Sequence, residues 1–288
     1  MPELTNPRAE RVKAVKALAG RSARERHGRF LVEGPQSARE AVREPDPRVR
    51  DLYVTDESAE RYPEIVADAV RAGARLHTAS AEVLEAMSPD AQHVLAVADT
   101  REPAPIEVLA RGARLVAVLV HVRDPGNAGA VIRAADAAGA DAVVLTRESV
   151  DVHNPKVVRS TAGSLFHLPV VTGPGLAEAV AALHAAGMTV LAADGSGEHD
   201  LDDLLDHAEA LRSSGAGDRV DPAGPRVPDL GAPTAWLFGN EAWGLAANDR
   251  ALADAVVRVP IRGRAESLNL ATAAAVCLYA SSRAQRDR

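Results

Sequence analysis

The chain has 288 residues, 47% of them hydrophobic and 25% charged, so it is long enough for two globular domains and too apolar for a disordered chain. Its single cysteine, Cys277, excludes an intramolecular disulfide and a cysteine-based zinc site. The net charge of −7 argues against a general polyanion-binding protein, and eight aromatic residues leave little surface for base stacking.

Positive charge is concentrated near the N-terminus. Residues 1–30 carry a formal charge of +5, which leaves −12 for the rest of the chain. This favours an N-terminal arm for nucleic acid, with arginine-rich genomic base composition as the alternative, because 30 of the 33 basic residues are arginine. The charges interrupt any apolar signal-peptide core, and no window reaches the length of a membrane span, so we expect a cytoplasmic protein. The candidate nucleic-acid-binding residues of the arm are Arg8, Arg11, Lys13, Lys16, Arg24, Arg26 and Arg29.

The N-terminal hundred residues alternate between short helical and short extended patterns, which predicts a small α/β domain. Residues 101–105 contain two prolines and no periodicity, so we predict a linker there and two domains, 1–105 and 106–288. Helices are predicted at 8–19, 35–43, 59–72 and 81–87, and strands at 29–32, 51–54, 75–77 and 93–98.

The second part of the chain predicts a parallel sheet. Residues 115–120 are continuously apolar, which is typical of a strand buried on both faces. Helical segments separate the strands, so the predicted fold class is α/β. Residues 212–233 hold four glycines and four prolines and predict a flexible surface insertion. The acidic stretch 194–209 predicts a solvated helix face, with a divalent metal site as the less favoured alternative. Further strands are predicted at 142–145, 168–171, 188–193, 234–238 and 255–260.

The common nucleotide-binding fingerprints are absent from this sequence. There is no G-x-x-x-x-G-K-[ST] loop and no G-x-G-x-x-G between a strand and a helix, which argues against P-loop enzymes and ordinary dinucleotide-binding domains. Three other junctions follow apolar strands, at the sheet edge where α/β proteins keep their sites. These junctions carry the candidate site residues.

The first junction is D-P-G-N-A-G-A-V-I-R, residues 124–133. We predict Asn127 as a helix N-cap and Arg133 in the second turn, off the buried stripe and at the carboxyl end of a strand. The alternative is an exposed arginine paired with Asp136.

The second junction is W-L-F-G-N-E-A-W-G-L, residues 236–245. Gly239 ends a strand, and its missing side chain would let a ligand approach the backbone beside the polar pair Asn240 and Glu241. The alternative is a tight turn with a surface glutamate.

The third junction leads into the last helix. Val259, Pro260 and Ile261 follow a strand, and we predict Ser267 as the cap of that helix, with the amide of Asn269 in its first turn free for recognition. Between the junctions, residues 154–169 contain Lys156 and Arg159 and no acid. Next to a nucleotide site these would contact phosphate, and otherwise they form a solvated face.

Taken together, three motifs resemble those of the SpoU (TrmH-like) RNA 2′-O-ribose methyltransferases. They are N-x-x-x-x-x-R, L-x-G-N-E-x-x-G-L and V-P-I-x-x-x-x-x-S-L-N-L, in that order within about residues 110–285. The segment N-P-K-x-x-R-x-x-x-G-S-L-F-x-L-P is also similar to that family. The N-terminal hundred residues resemble the ribosomal-protein-like substrate-binding domain of members that modify ribosomal RNA.

The resemblance implies a SPOUT-type α/β fold, in which a parallel sheet carries a C-terminal trefoil knot and a small α/β substrate-binding domain precedes it. It also implies a homodimer and S-adenosylmethionine held by loop backbone groups, with no metal. The cofactor-binding residues that it implies are Gly239, Asn240, Val259, Ile261, Leu268 and Asn269. The implied catalytic residues are Asn127, Arg133, Glu241, Ser267 and Asn269.

Methyl transfer to a ribose requires an aligned 2′-hydroxyl that loses its proton. In the family, the arginine that matches Arg133 is placed at this hydroxyl, and some accounts make it the base. A guanidinium stays charged in proteins, so we interpret Arg133 as an electrostatic stabiliser of the developing alkoxide, with an RNA phosphate helping to accept the proton. Asn127 would orient Arg133 or its loop.

These features predict an S-adenosylmethionine-dependent RNA 2′-O-ribose methyltransferase that acts on large-subunit (23S) ribosomal RNA. Housekeeping modification and protection of the ribosome against antibiotics both stay open. A transfer RNA substrate is one alternative. A non-catalytic RNA-binding assembly factor is another, against which the complete set of site residues counts.

Overall fold

The computed structural model describes residues 2–100, 105–214 and 227–286. The chain divides into two compact units. Unit 1 consists of Met1–Glu102 and Asp151–His167, and unit 2 consists of Pro103–Val150 and Leu168–Arg288. The predicted linker 101–105 lies, except for Pro105, outside the described residues.

The segment Asp151–His167 belongs to unit 1, whereas our domain prediction placed it in the second domain. It packs within unit 1, where its Phe166 ring lies 6.5 Å from the ring of Phe30 and its His153 ring lies 4.6 Å from the same ring. These contacts bury aromatic surface that an isolated segment would leave in water.

Helices and strands alternate along most of the chain. The helices are α1 (Glu10–Ala17), α2 (Arg21–His27), α3 (Pro35–Arg43), α4 (Asp56–Arg61), α5 (Pro63–Arg71), α6 (Ala81–Met87), α7 (Ile106–Leu109), α8 (Pro125–Ala137), α9 (Pro155–Ser160), α10 (Leu176–Ala185), α11 (Leu201–Ser214), α12 (Ala247–Arg250) and α13 (Leu270–Gln285). The strands are β1 (Arg29–Glu33), β2 (Val49–Val54), β3 (Arg75–Thr78), β4 (Val94–Asp99), β5 (Leu115–Leu119), β6 (Ala142–Leu145), β7 (Val170–Thr172), β8 (Thr189–Ala193), β9 (His199–Asp200), β10 (Thr234–Phe238) and β11 (Ala255–Arg258).

Unit 1 is built on a four-stranded sheet with the order β1-β4-β2-β3. Strand β4 is antiparallel to both β1 and β2, whereas β3 is parallel to β2. Apolar residues of α1 and α6 form one core with Leu31, Tyr53 and Leu95 of the strands. The predicted helix 59–72 is two helices, because Pro63 has no N–H to continue the first and its fixed φ suits the start of the second.

Unit 2 is built on a seven-stranded sheet with the order β7-β6-β5-β10-β8-β11-β9, and all its strand pairs are parallel. Every residue of β5, β6 and β10 is buried, as a sheet covered on both faces requires. Helix α13 packs against α8, β5 and β10, and α10 packs against α7 and β8. The predicted α/β class with a parallel sheet is confirmed, and the trefoil knot stays a prediction.

The predicted insertion 212–233 is shorter than we expected. Residues 212–214 belong to α11. At the other end, Leu230 is fully buried, and the Gln285 side chain donates to the carbonyl oxygens of Leu230 (3.2 Å) and Ala232 (2.9 Å). The remaining residues 215–226 lie outside the described part of the chain.

Candidate active site

A cleft of about 340 Å³ lies where β8, β10 and β11 end at the carboxyl edge of the unit 2 sheet. A parallel sheet exposes strand-end loops at this edge, which is where α/β proteins bind ligands. The cleft brings together the second and third junctions, although helix α12 and strand β11 separate them in the chain. The predicted site residues that line it are Gly239, Asn240, Glu241, Val259, Ile261, Ser267 and Leu268.

Gly239 is required by the fold of its own loop. A Cβ at this position would lie 2.3 Å from the backbone carbon of Gly244, far inside van der Waals contact. The chain returns there because Asn240 and Gly244 exchange backbone hydrogen bonds of 3.0 and 2.8 Å. The returning backbone fills the space that a side chain would need, so the loop itself requires glycine here, and the approach of a ligand to this backbone stays a prediction.

The side chains of Asn240 and Glu241 connect the second junction to the first. Asn240 is buried, and its amide donates to the carbonyl oxygen of His121 at 2.7 Å while its oxygen accepts from the backbone of Ala242 at 2.9 Å. Glu241 is exposed, and its carboxylate accepts from the backbone N–H of Asp124 at 3.3 Å. The Asn240 side chain thus holds two loops together.

The first junction begins its helix earlier than predicted. Asp124 is the N-cap of α8 and accepts from the backbone N–H of Asn127 at 2.8 Å, so the predicted capping role of Asn127 is wrong. Proline suits the next position because it needs no N–H there. Arg133 consequently lies in the third turn of α8, exposed, and makes no ion pair with Asp136 or any other carboxylate of the described residues.

Asn127 and Asn269 join the first junction to the third. The Asn269 amide donates to the Asn127 side-chain oxygen at 3.0 Å, across 142 positions of sequence. Asn269 is also the N-cap of α13, where its oxygen accepts from the backbone of Ala271 at 2.9 Å. The predicted cap, Ser267, instead stays exposed at the cleft, because the helix starts two residues later than we expected.

The third loop offers an apolar wall and unpaired backbone. Val259, Ile261 and Leu268 face the cleft, and Ile261 is exposed although it is apolar. Within the described ranges, the backbone groups of residues 259–268 form no hydrogen bond with another backbone group. Such groups are free to bind the polar edge of a ring that the apolar side chains would cover.

Asp194 is a cleft residue that the sequence analysis did not select. It follows β8 and is held by the Ser196 hydroxyl at 2.6 Å and by Arg250 at 3.1 Å. Burial opposes its charge, but the bonds from Ser196 and Arg250 outweigh burial and lower the pKa of Asp194 below its ordinary value. It gives the cleft a fixed negative charge, and its place after a strand in the sequence is the signal that would have found it.

Two of the predicted RNA-binding residues form ion pairs within unit 1. The Arg24 side chain is only 4% exposed, pairs with Asp151 at 2.6 Å and donates to the carbonyl oxygen of Ala19. Arg159 forms ion pairs with Glu33 and Asp90. Arg24 therefore cannot contact RNA without unfolding, and two carboxylates already lie against the charge of Arg159.

The other predicted cations of unit 1 lie at its surface. Arg8, Lys16 and Arg26 are exposed, as is Lys156. Lys13 pairs with Glu10 at 2.8 Å, and such exposed pairs are weak enough to exchange for a phosphate.

A pocket of about 200 Å³ in unit 1 contains Arg11 and Arg29 together with Arg75 and His27, which the sequence analysis did not select. These four side chains come from α1, α2, β1 and β3, so no local charge count could group them. Tyr53 also lines this pocket. Burial raises the pKa of its hydroxyl to about 12, so the Tyr53 side chain remains neutral.

Among the described residues, no group of three or more histidine, cysteine or acidic side chains is arranged to hold a metal ion. No described helix combines the length and apolar character needed to cross a membrane.

Comparison with known proteins matches both parts of the chain. Residues 114–279 match the model of the SpoU rRNA Methylase family, and residues 9–96 match the MRM3-like substrate binding domain. The 23S rRNA (guanosine(2553)-2′-O)-methyltransferase RlmP of Bacillus subtilis (strain 168) is 33% identical over 97% of this chain and 98% of its own length. A 23S rRNA (uridine(2479)-2′-O)-methyltransferase of Streptomyces viridochromogenes is 33% identical over 92% of this chain and 86% of its own.

A solved structure supports the same likeness. The SpoU methyltransferase AviRb from Streptomyces viridochromogenes, in complex with the cofactor AdoMet, is similar with a TM-score of 0.76 and 30% identity. The alignment covers 97% of this chain and 99% of AviRb. The likeness therefore extends over both units, each of which has its counterpart among the family models.

Proposed function

Because the chain belongs to the SpoU rRNA methylase family, we propose that it is an S-adenosylmethionine-dependent 2′-O-ribose methyltransferase of 23S ribosomal RNA. The observation that carries the proposal is the meeting of three motifs in unit 2, where Asn269 bonds to Asn127 and Glu241 bonds to the backbone of Asp124. A non-catalytic assembly factor would have no need to hold these residues together.

The cleft fits the cofactor. Val259, Ile261 and Leu268 would cover the adenine ring, and the unpaired backbone of residues 259–268 would bind its edge. Asp194 would offer the cationic donor a carboxylate that it already shares with its ion-pair partner, Arg250. S-adenosylmethionine supplies a methyl group on a sulfonium, which needs alignment and no metal.

Residues of α8 and of the loops beside it would contact the substrate ribose. Arg133, exposed and without an ion pair among the described residues, is available to stabilise the negative charge that develops on the 2′-oxygen. Asn127 is oriented by Asn269, so it can fix the start of the helix that carries Arg133. Glu241 and Ser267 stand at the cleft between the two ends.

Unit 1 is the proposed RNA-binding part. The exposed Arg8, Lys16 and Arg26 suit the phosphates of a folded RNA. The pocket adds Arg11 and Arg29, whereas its Arg75 is paired with Asp51 of the same pocket at 3.0 Å. We place the protein in the cytoplasm with its rRNA, and we propose a homodimer from the family resemblance. A transfer RNA substrate is less supported, because both relatives described above act on 23S rRNA.

The test is methyl transfer itself. Purified protein is incubated with tritiated S-adenosylmethionine and total RNA, and the RNA classes are then separated. We expect alkali-stable label in 23S rRNA, since a 2′-O-methyl group blocks cleavage at its own linkage. Label confined to transfer RNA would overturn the substrate, and tight RNA binding without any label would favour the assembly factor.

A further inference from the structure

Trp243 and Tyr279 are the two aromatic residues that the described part of the chain leaves exposed, and Trp243 is the one in the loop that lines the cleft. Phe30, Phe166, Phe238 and Trp236 are fully buried, whereas the Trp243 side chain is 56% exposed. It belongs to the second junction, whose loop lines the cleft. The large apolar surface of an indole is seldom left in water without a partner, because burying it is favourable.

The loop holds Trp243 in a defined position. The backbone bonds between Asn240 and Gly244 close the turn on either side of it, at 3.0 and 2.8 Å. The Asn240 amide then fixes this turn to His121 at 2.7 Å. A side chain presented on such a preorganised turn loses little conformational freedom when it binds a partner.

Arg123 lies over the ring of Trp243, so the two flat groups form one stack. Its guanidinium carbon lies 5.5 Å from the centre of the Trp243 ring, and its side chain is 63% exposed, with Glu148 at 3.9 Å. Unpaired nucleobases stack on aromatic rings and on guanidinium planes, and this pair offers one of each. The positive charge suits RNA and disfavours a purely apolar partner.

The pair lies on two loops that belong to the motifs of the site. Arg123 directly precedes Asp124, the cap of the helix that carries Arg133. Trp243 follows Glu241 by two residues, in the loop at the cofactor cleft. The pair thus lies on the two loops between which the reacting ribose must be placed.

We propose that Trp243 and Arg123 form a stacking platform for an unpaired base of the RNA substrate, at or beside the methylated nucleotide. The inference rests on the proposed function, because it takes RNA as the partner. Stacking tolerates every base, so the platform positions the nucleotide and does not select its identity. Trp243 is a binding residue here and takes no part in proton transfer.

The test compares Trp243→Ala, Trp243→Leu, Trp243→Phe and Arg123→Ala in binding to deproteinised 23S rRNA with S-adenosylhomocysteine present. Alanine and leucine at position 243 should weaken binding about tenfold, since leucine is apolar but cannot stack, whereas phenylalanine should stay within about threefold of wild type. Arg111→Ala, an exposed arginine at the amino end of β5, is the matched charge control and should bind as wild type.

Fluorescence gives a second readout at the site. Adding the rRNA should quench tryptophan emission of the wild type and leave Trp243→Phe unchanged, because its remaining tryptophan, Trp236, is fully buried. Donor binding by calorimetry should be equal in all variants. Wild-type rRNA affinity in Trp243→Ala, or a changed molecular mass by light scattering that places Trp243 against a second copy, would overturn the platform.

The two failures are distinguishable. If wild-type protein methylates 23S rRNA and Trp243→Ala does so with unchanged KM, the platform is wrong and the proposed function stands. If wild-type protein neither binds the donor nor labels any RNA, the proposed function fails, and the platform fails with it.

Discussion

The cleft of unit 2 and the basic surface of unit 1 differ in how well the sequence alone locates their functional residues. In the cleft, residues that share a motif meet because strand ends and close backbone contacts place them, as at Gly239 and Asn240. In unit 1, the positive charges near the N-terminus include Arg24, which is buried in an ion pair. A motif tied to backbone geometry therefore locates a site better than a count of charges does.

The largest effect should come from Arg133. Replacing it with alanine should lower the methyl-transfer rate about 10²- to 10³-fold, because the alkoxide loses its electrostatic partner. Stability and donor binding should not change, since Arg133 is exposed and has no ion pair within the part of the chain that the structure describes. Single-turnover kinetics checks the rate. If Arg133→Lys moved a titrating group in the pH profile of this step, the arginine would act as the base and the electrostatic role would be wrong.

The next prediction tests whether the close backbone contact between Gly239 and Gly244 shapes the cleft. Gly239→Ala should weaken S-adenosylmethionine binding at least about tenfold, because the added Cβ would collide with the backbone of Gly244 at 2.3 Å. Gly263→Ala is the matched control in the neighbouring loop, where a Cβ meets nothing within 4 Å. Equilibrium dialysis measures both. Equal donor affinity in the two variants would contradict the tight turn described here.

In unit 1, Arg24→Ala should lower the free energy of unfolding by about 3 kcal/mol, because it leaves the Asp151 carboxylate without its partner. Arg26→Ala, two residues away and exposed, should change it by less than about 0.5 kcal/mol. Chemical denaturation compares the two variants. A stable Arg24→Ala protein with weakened RNA binding would mean that Arg24 is an RNA contact after all.

The same pair has a defined pH dependence. Burial opposes the charge of Asp151, but the bonds from Arg24 and from the His153 backbone outweigh it and lower the pKa below 3.8. The stabilisation is then present above pH 3.8 and is lost as the pH falls through the lowered pKa. The difference between wild type and Arg24→Ala should accordingly shrink in acid, as thermal unfolding at a series of pH values would show.

The smallest effect concerns the exposed cations. Replacing Arg8, Lys16 and Arg26 together with glutamine should weaken 23S rRNA binding and reduce the slope of log affinity against log salt by up to about 3. Substitution is preferable to deletion of residues 1–30, which would remove the buried Val12 and Val15 from the core. An unchanged slope in filter binding would show that this surface does not contact phosphate.

Local pattern predicted most of the regular structure. The strands β6 and β10 and the helices α3 and α6 have the predicted bounds, because periodicity and proline positions are local signals. Two helix starts were predicted wrongly. Asp124 caps α8 in place of Asn127, and Asn269 caps α13 in place of Ser267. The packing of Asp151–His167 in unit 1 depends on contacts with Phe30, more than 120 positions away, which no window of sequence contains.

The candidate site was predictable to the extent that its residues lie in motifs. Gly239, Val259, Ser267 and Leu268 were expected at the cleft and lie there. Asp194 directly follows a predicted strand, which was a usable signal, but its place in the cleft also depends on β8 lying between β10 and β11 in the sheet. The pocket of Arg11, Arg29 and Arg75 was missed for the same reason.

The most direct test of the site is isothermal titration calorimetry of S-adenosylmethionine into the folded wild-type protein, with and without 23S rRNA. Convergence of the three motifs on one cleft predicts saturable binding with one molecule per chain. Absence of binding in both titrations, by protein whose circular dichroism confirms its fold, would contradict the account.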